Sequence, residues 1–273
     1  MLTRKISLLV ISVILISCGG GKTKVQEART YRDVEQFTIL LDSLAIAEPS
    51  LRELILSNLN SSITTLDSYV DSEDPAIRKI IALHPNSSGE ALDILSSDVE
   101  VEVRTYTAMN ANTHSITRKK LLTDENVEVR KALAVNQNLT EELFEQLITD
   151  QEEQVRMAVA INPSRPKEIV EKLIAQDNAS IRHALVLSET VPAEFLNKLV
   201  QDKDHFVRNF SAKDKKLTPE SIELLAKDES SLVRAGIGEN ENTQGNILRE
   251  LAKDSDLTVR ASVAANANTP TEV

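Results

Sequence analysis

Val155-Arg156-Met157-Ala158-Val159-Ala160-Ile161-Asn162-Pro163 returns four periods later as Val259-Arg260-Ala261-Ser262-Val263-Ala264-Ala265-Asn266-Ala267. The arginine of this stretch recurs every 26 residues, at Arg52, Arg78, Arg104, Arg130, Arg156, Arg182, Arg208, Arg234 and Arg260, without an insertion or deletion. Neighbouring columns keep the same step. A Val or Ile precedes each arginine from Arg78 onward, and a leucine stands nine residues before each of the later ones, from Leu95 to Leu251. Six residues before them lie Asp98, Asp124, Asp150, Asp202, Asp228 and Asp254, with Gln176 the one break. Six residues after the arginine come Asn58, Asn110, Asn136, Asn162, Asn240 and Asn266, with His84, Ser188 and Asp214 as exceptions. Self-similarity at such a period is the mark of a stacked repeat array.

Each unit carries two helical patterns. In Pro166 to Ile174 the apolar residues Ile169, Val170, Leu173 and Ile174 fall on one helical face, which no strand alternation would give. Pro166 and Pro192 suit a first helical turn, with Glu168 and Glu194 behind them, and Thr140 and Thr218 read as N-caps. The first helix ends near Asp177. A second, shorter helix, α or 3₁₀, follows with Ile181, Ala184, Leu185 and Val186. Small residues (Ala82, Ala108, Ala134, Ala160, Ala212, Ala264) recur on it and allow close approach of neighbours, while Gly236 and Gly238 predict a weak or bent helix in one unit. Asn pairs close each unit with turn chemistry. A single unit cannot bury its own apolar face, so the units must share a core.

Runs such as Val155 to Pro163 and Val259 to Pro270 resemble the leucine-rich repeat variant family and short HEAT-type repeats. The resemblance covers about residues 45–273, and more weakly 30–45. It implies an all-α, right-handed α-solenoid (superhelix) of about nine 26-residue two-helix repeats, residues 30–273, without strands. The founding pattern of the family includes a cysteine cluster for an iron–sulfur centre. This chain has one cysteine, Cys18, so no such cofactor carries over. Neither family has a single activity, so the likeness informs fold more than function.

The N-terminus reads as an address. Arg4 and Lys5 precede an apolar run, Ile6 to Ile16, too short to span a bilayer comfortably. The run ends in Leu15-Ile16-Ser17-Cys18, followed by three glycines, which resembles the bacterial lipobox. The resemblance implies a lipoprotein signal peptide over 1–17, acylation (palmitate) of Cys18, and a polar tether over 18–29; two acyl chains suffice for stable anchoring. Gly19, in place of an acidic residue, points to the outer rather than the inner membrane of a bacterial envelope. At the other end Val273 falls where the first helix of a further unit would begin, so a frayed last turn or a truncated frame is expected there.

Composition and motifs exclude more than they name. A net charge of −11 argues against nucleic acid, and 3% aromatics without Trp argue against binding by stacking. His84, His114, His183 and His205 occupy different columns of different units, so no metal-ligand spacing arises, and no phosphate loop or nucleophile elbow occurs. No metal, cofactor or enzymatic activity is expected. The arginines (Arg78, Arg104, Arg130, Arg156, Arg182, Arg208, Arg234, Arg260) and aspartates are expected to form a structural ladder, guanidinium to carboxylate or helix C-terminal carbonyl of adjacent units. The Asn column is expected to do the same by hydrogen bonding. A departure from the repeat, Phe206, Phe210 and the basic cluster Lys213, Lys215 and Lys216, is a candidate patch for an anionic partner beside the simpler reading of solvated lysines. The function that remains is a non-catalytic protein-interaction scaffold in the cell envelope with an unidentified protein partner; the alternatives are a HEAT-repeat enzyme of lyase type or a purely structural component.

Overall fold

In the computed structural model the described residues are 52–57 and 61–272; the expectations for the leader, Cys18, the tether and Asn58 lie outside them. The chain divides into two compact units, residues 1–62 and 63–273. Of the first, the helix α1 (Arg52–Leu56) is described.

Residues 63–272 are an all-α solenoid of eight helix pairs, with no strand among the described residues. The first helices of the pairs are α2 (Ile63–Asp67), α4 (Gly89–Leu95), α6 (Ser115–Leu121), α8 (Glu141–Leu147), α10 (Lys167–Ala175), α12 (Ala193–Leu199), α14 (Pro219–Leu225) and α16 (Gly245–Leu251). The second helices, which carry the arginines, are α3 (Pro75–Leu83), α5 (Val101–Met109), α7 (Val127–Ala134), α9 (Glu153–Ile161), α11 (Ala179–Leu187), α13 (His205–Ala212), α15 (Ser231–Glu239) and α17 (Leu257–Ala265). Each second helix packs on the second helix of the next pair. None of these helices is long and apolar enough to cross a membrane.

The expected length relation is reversed. The second helix is α-helical and spans eight or nine residues, whereas most first helices have seven. The reason lies in its capping: Asp74, Asn126, Asn178, Asp204 and Asp256 accept the amide two residues on and start the helix three residues before the arginine. At the first helices Thr140 and Thr218 cap Leu143 and Ser221. Pro166 and Pro192 sit at the N-cap itself, one step before the first turn, where an extended backbone suits proline and no amide is needed.

The shared core runs through the column before each arginine (Val129, Val155, Ile181, Val207, Val233, Val259) and the leucines of the first helices from Leu121 on, and Val103 is buried in the same column. Neighbouring second helices meet at small residues. The expected bend at Gly236 and Gly238 is absent: α15 is continuous and both glycines are buried. A Cβ on Gly236 would lie 2.9 Å from the Asn209 side-chain oxygen, and one on Gly238 would lie 3.0 Å from the Ser262 Cβ and 3.3 Å from the Val263 nitrogen. Close helix approach, rather than flexibility, is what these glycines serve.

Candidate functional site

The ladder arginines from Arg78 to Arg260 lie at the second helices' first turns, and all but Arg156 and Arg260 reach two ways. In the pair containing Arg104, Nη1 donates to the Asp98 carbonyl of its own turn at 2.8 Å, and Nε and Nη2 clasp the Asp124 carboxylate of the next pair at 2.7 and 3.1 Å. Each ladder aspartate thus receives the arginine of the preceding pair on its carboxylate and that of its own pair on its carbonyl. It also accepts the amide two residues on, as Asp98 does from Glu100 at 2.9 Å. The clasps are Arg78–Asp98, Arg104–Asp124, Arg130–Asp150, Arg182–Asp202, Arg208–Asp228 and Arg234–Asp254, with nitrogen–oxygen separations of 2.5–2.7 Å. Arg260 holds its own turn, at the Asp254 carbonyl. Arg156 is the interior exception: it bonds the Asp150 and Gln151 carbonyls, but Gln176 stands where its carboxylate would be. Gln176 instead donates to the Ile148 carbonyl at 2.8 Å.

A second ladder runs parallel. Asn110, Asn136, Asn162, Asn240 and Asn266 each donate Nδ2 to two carbonyls of the preceding pair; Asn136 reaches Ala108 at 2.8 Å and Asn110 at 3.0 Å. Their Oδ1 atoms accept the amide two residues on and hold the turn. Ser188 and Asp214 interrupt this ladder too.

Burial alone would raise the carboxyls of Asp98, Asp124, Asp150 and Asp228, but the arginine and amide hydrogen bonds and the nearby guanidinium charges outweigh it and hold all four below the usual range. At Asp254 the hydrogen bond from Arg234 is the larger influence, in the same direction. The clasped arginines, Arg104 for example, are raised by the same hydrogen bonds.

The lysine cluster is engaged within the protein. Lys213 bridges Glu239 at 2.8 Å and Lys215 bridges Glu241 at 2.9 Å, each one period ahead. Lys216 takes an asparagine position and donates to the carbonyls of Glu189 and Val191 at 3.0 and 2.8 Å. The three lysines line a shallow depression of about 320 Å³ with Leu187 and Phe210. The four histidines remain apart: His114 meets Asp93, His183 meets Asp204 and the edges of Phe206 and Phe210, His205 leans on Phe206, and His84 accepts the Asn86 amide. No group of three or more histidine, cysteine or acidic residues that could hold a metal occurs among the described residues.

What sequence reasoning missed is a column five residues after the arginine. Leu83, Met109, Val135, Ile161 and Leu187 occupy it in five successive pairs; the first two and last two are 47–59% exposed, and Val135 is half-buried. The column lies on the solvent side of the second helices, beside Met157 and His183. Three charge pairs lie along that side: Lys79 with Glu102, Lys131 with Glu128 at 2.5 Å, and Lys213 with Glu239. The first helices differ. They carry Lys119–Glu142, Lys172–Glu145 and Lys198–Glu171 bridges with further glutamates around them, such as Glu141, Glu168 and Glu194. An acidic chain therefore keeps one apolar, charge-balanced stripe, the surface type that marks interaction sites. Its signal was present in the sequence, as a third apolar residue after two core positions.

No family model matches the chain, and no curated protein matches its sequence. Among solved structures, one described as "a leucine-rich repeat variant with a novel repetitive protein structural motif" is similar at 25% identity and a TM-score of 0.55, over 74% of this chain and 80% of that one. The likeness agrees with a repeat solenoid of paired helices.

The lowered aspartates give the ladder a pH dependence. A carboxyl whose folded-state value is depressed contributes stability above its ordinary value, about 3.9, and loses it as the pH falls through the lower one. The melting temperature is expected to drop on acidification below about pH 4. A triple variant, Asp98→Asn, Asp124→Asn and Asp150→Asn, is less stable at neutral pH and has a shallower acid limb; limbs of equal steepness would remove these rungs as the cause.

Proposed function

We propose that this chain is a non-catalytic interaction scaffold of the bacterial cell envelope, anchored by acylated Cys18, that binds a partner protein along the Leu83–Leu187 stripe. The observation that carries the reading is the charge balance of that stripe within a chain of net charge −11. A surface that excludes net charge while the first helices carry an acidic excess favours an uncharged, apolar face on the partner. Successive rungs follow the stacking of helices, which pack about 8–10 Å apart. A partner helix with an apolar residue every two turns matches that spacing, since seven residues rise about 10.5 Å. The likeness to a repeat structure supports the scaffold class.

The anchoring half of the proposal rests on the leader and lipobox resemblance, the scaffold half on the stripe, and the two are tested apart. Fatty-acid labelling in the native bacterium is expected to mark the wild-type chain and not Cys18→Ala; equal labelling ends the lipoprotein reading. Crosslinking and affinity isolation from the same envelope is expected to recover a stoichiometric protein partner with the wild-type chain. Leu83→Glu combined with Leu187→Glu, both at exposed positions, should lose that partner while changing stability by no more than about 0.5 kcal/mol per site. Undiminished recovery by the double variant would move the binding face elsewhere.

A further inference from the structure

The breaks in the two ladders coincide. Gln176 removes the Arg156 clasp between the pairs that end in α9 and α11, and Ser188 removes the asparagine link between the same two pairs. Everywhere else from Arg78 to Asp254 the clasp is present. The asparagine link fails once more, at Asp214, but there Lys216 crosses to the Glu189 and Val191 carbonyls and the Arg182–Asp202 clasp remains. The α9–α11 interface is the one that lacks both.

Gln176 keeps a single bond across this interface, to the Ile148 carbonyl at 2.8 Å, and the other replacement is costly. Arg165 donates to the Asn162 carbonyl at 2.6 Å, the acceptor an asparagine at 188 would have used, and to the Ser188 hydroxyl at 2.9 Å. Arg165 is 8% exposed, its Nε has no hydrogen-bond partner, and no carboxylate forms an ion pair with it. Burial pushes it down to about 10. A buried cation without a counter-ion destabilises the arrangement that holds it. The next residue after Ser188, Glu189, has a φ of 54°, the one left-handed non-glycine residue among those described. In other pairs the position of Arg165 is filled by Leu139, Val191 or Leu217, or by a hydroxyl such as that of Thr113, so the charge is peculiar to this place.

We propose that the α9–α11 interface is a built-in opening point that divides the solenoid into two blocks, residues 63–164 and 165–272. It opens with α9 and α11 fraying as the new block ends, while the rest of each block stays folded. The apolar stripe crosses it between Ile161 and Leu187, so opening changes that one rung spacing and leaves Leu83, Met109 and Val135 in fixed register. The opening goes beyond the scaffold reading and does not depend on it.

Native-state hydrogen exchange on the purified chain tests it. Amides of α9 and α11 are expected to exchange at least about tenfold faster than those of α5 and α7 through a sub-global opening. Restoring the repeat with Gln176→Asp, Ser188→Asn and Arg165→Leu should bring the two regions within about threefold of each other. Copying the break elsewhere, with Asp124→Gln and Asn136→Ser, should create a second fast region between α5 and α7, which keeps the test decisive if the restored variant folds poorly. Uniform protection in the wild-type chain, or a fast region that neither set of substitutions moves, overturns the proposal.

Discussion

The guanidinium that reaches two turns at once is the constraint on which the stack depends. An arginine at the start of a second helix must touch the carbonyl six residues back and the carboxylate twenty residues on. Those two distances add to one period, so each clasp fixes both the internal length of a pair and its offset to the next. A residue inserted anywhere in a pair would pull either the carbonyl or the carboxylate out of reach. Planarity matters as well: the carboxylate is held by two nitrogens at once, which sets the angle between pairs in a way a lysine could not. The asparagine ladder imposes the same discipline at the other end of the second helix, where it joins carbonyls that the helix leaves unpaired.

Two ladders on either end of each second helix leave its outward side free of structural duty. The core columns are occupied by Val, Ile, Leu and Ala, and the arginine and asparagine positions are committed to their neighbours. Positions one and five after the arginine are among those that vary from pair to pair. The filling of the fifth position by apolar residues over five pairs, with Lys79–Glu102 and Lys131–Glu128 paired beside it, is therefore the place where selection for something other than folding can act. The first helices have a different freedom, since their cross-pair bridges are exposed and contribute little each.

Much of this was legible in the sequence because a strict period turns a three-dimensional stack into columns. Helix pairs, the core positions, the caps at Thr140 and Thr218 and the arginine, aspartate and asparagine columns could all be read off. Partner choice could not. Spacing alone does not say whether Arg104 reaches Asp98 or Asp124, and it uses the carbonyl of one and the carboxylate of the other. Helix length was misread because polar residues such as Ser180 and His183 on the outer side hid the start of the second helix. The stripe was missed for the opposite reason: Leu185-Val186-Leu187 and Val159-Ala160-Ile161 are continuous apolar runs, and a run does not reveal which member faces water. The lysine cluster looked free because its acids lie one period ahead, although Lys213 and Glu239 share a column, as do Lys215 and Glu241. The leader and Cys18 belong to residues outside the described structure, and their reading rests on sequence alone.

The claim that the arginine clasp holds the stack in register is most directly tested by a double-mutant cycle on Arg104 and Asp124. Chemical denaturation of the wild-type chain, Arg104→Ala, Asp124→Ala and the double variant isolates the energy of the pair from the cost of removing either side chain. For a largely buried, two-nitrogen clasp the coupling energy is expected to be about 1.5–3 kcal/mol, with the double variant little worse than either single one. A coupling near zero, with the two single losses simply adding, would mean that packing of the core columns alone sets the register, and the clasp would be an accompaniment to the repeat instead of its cause.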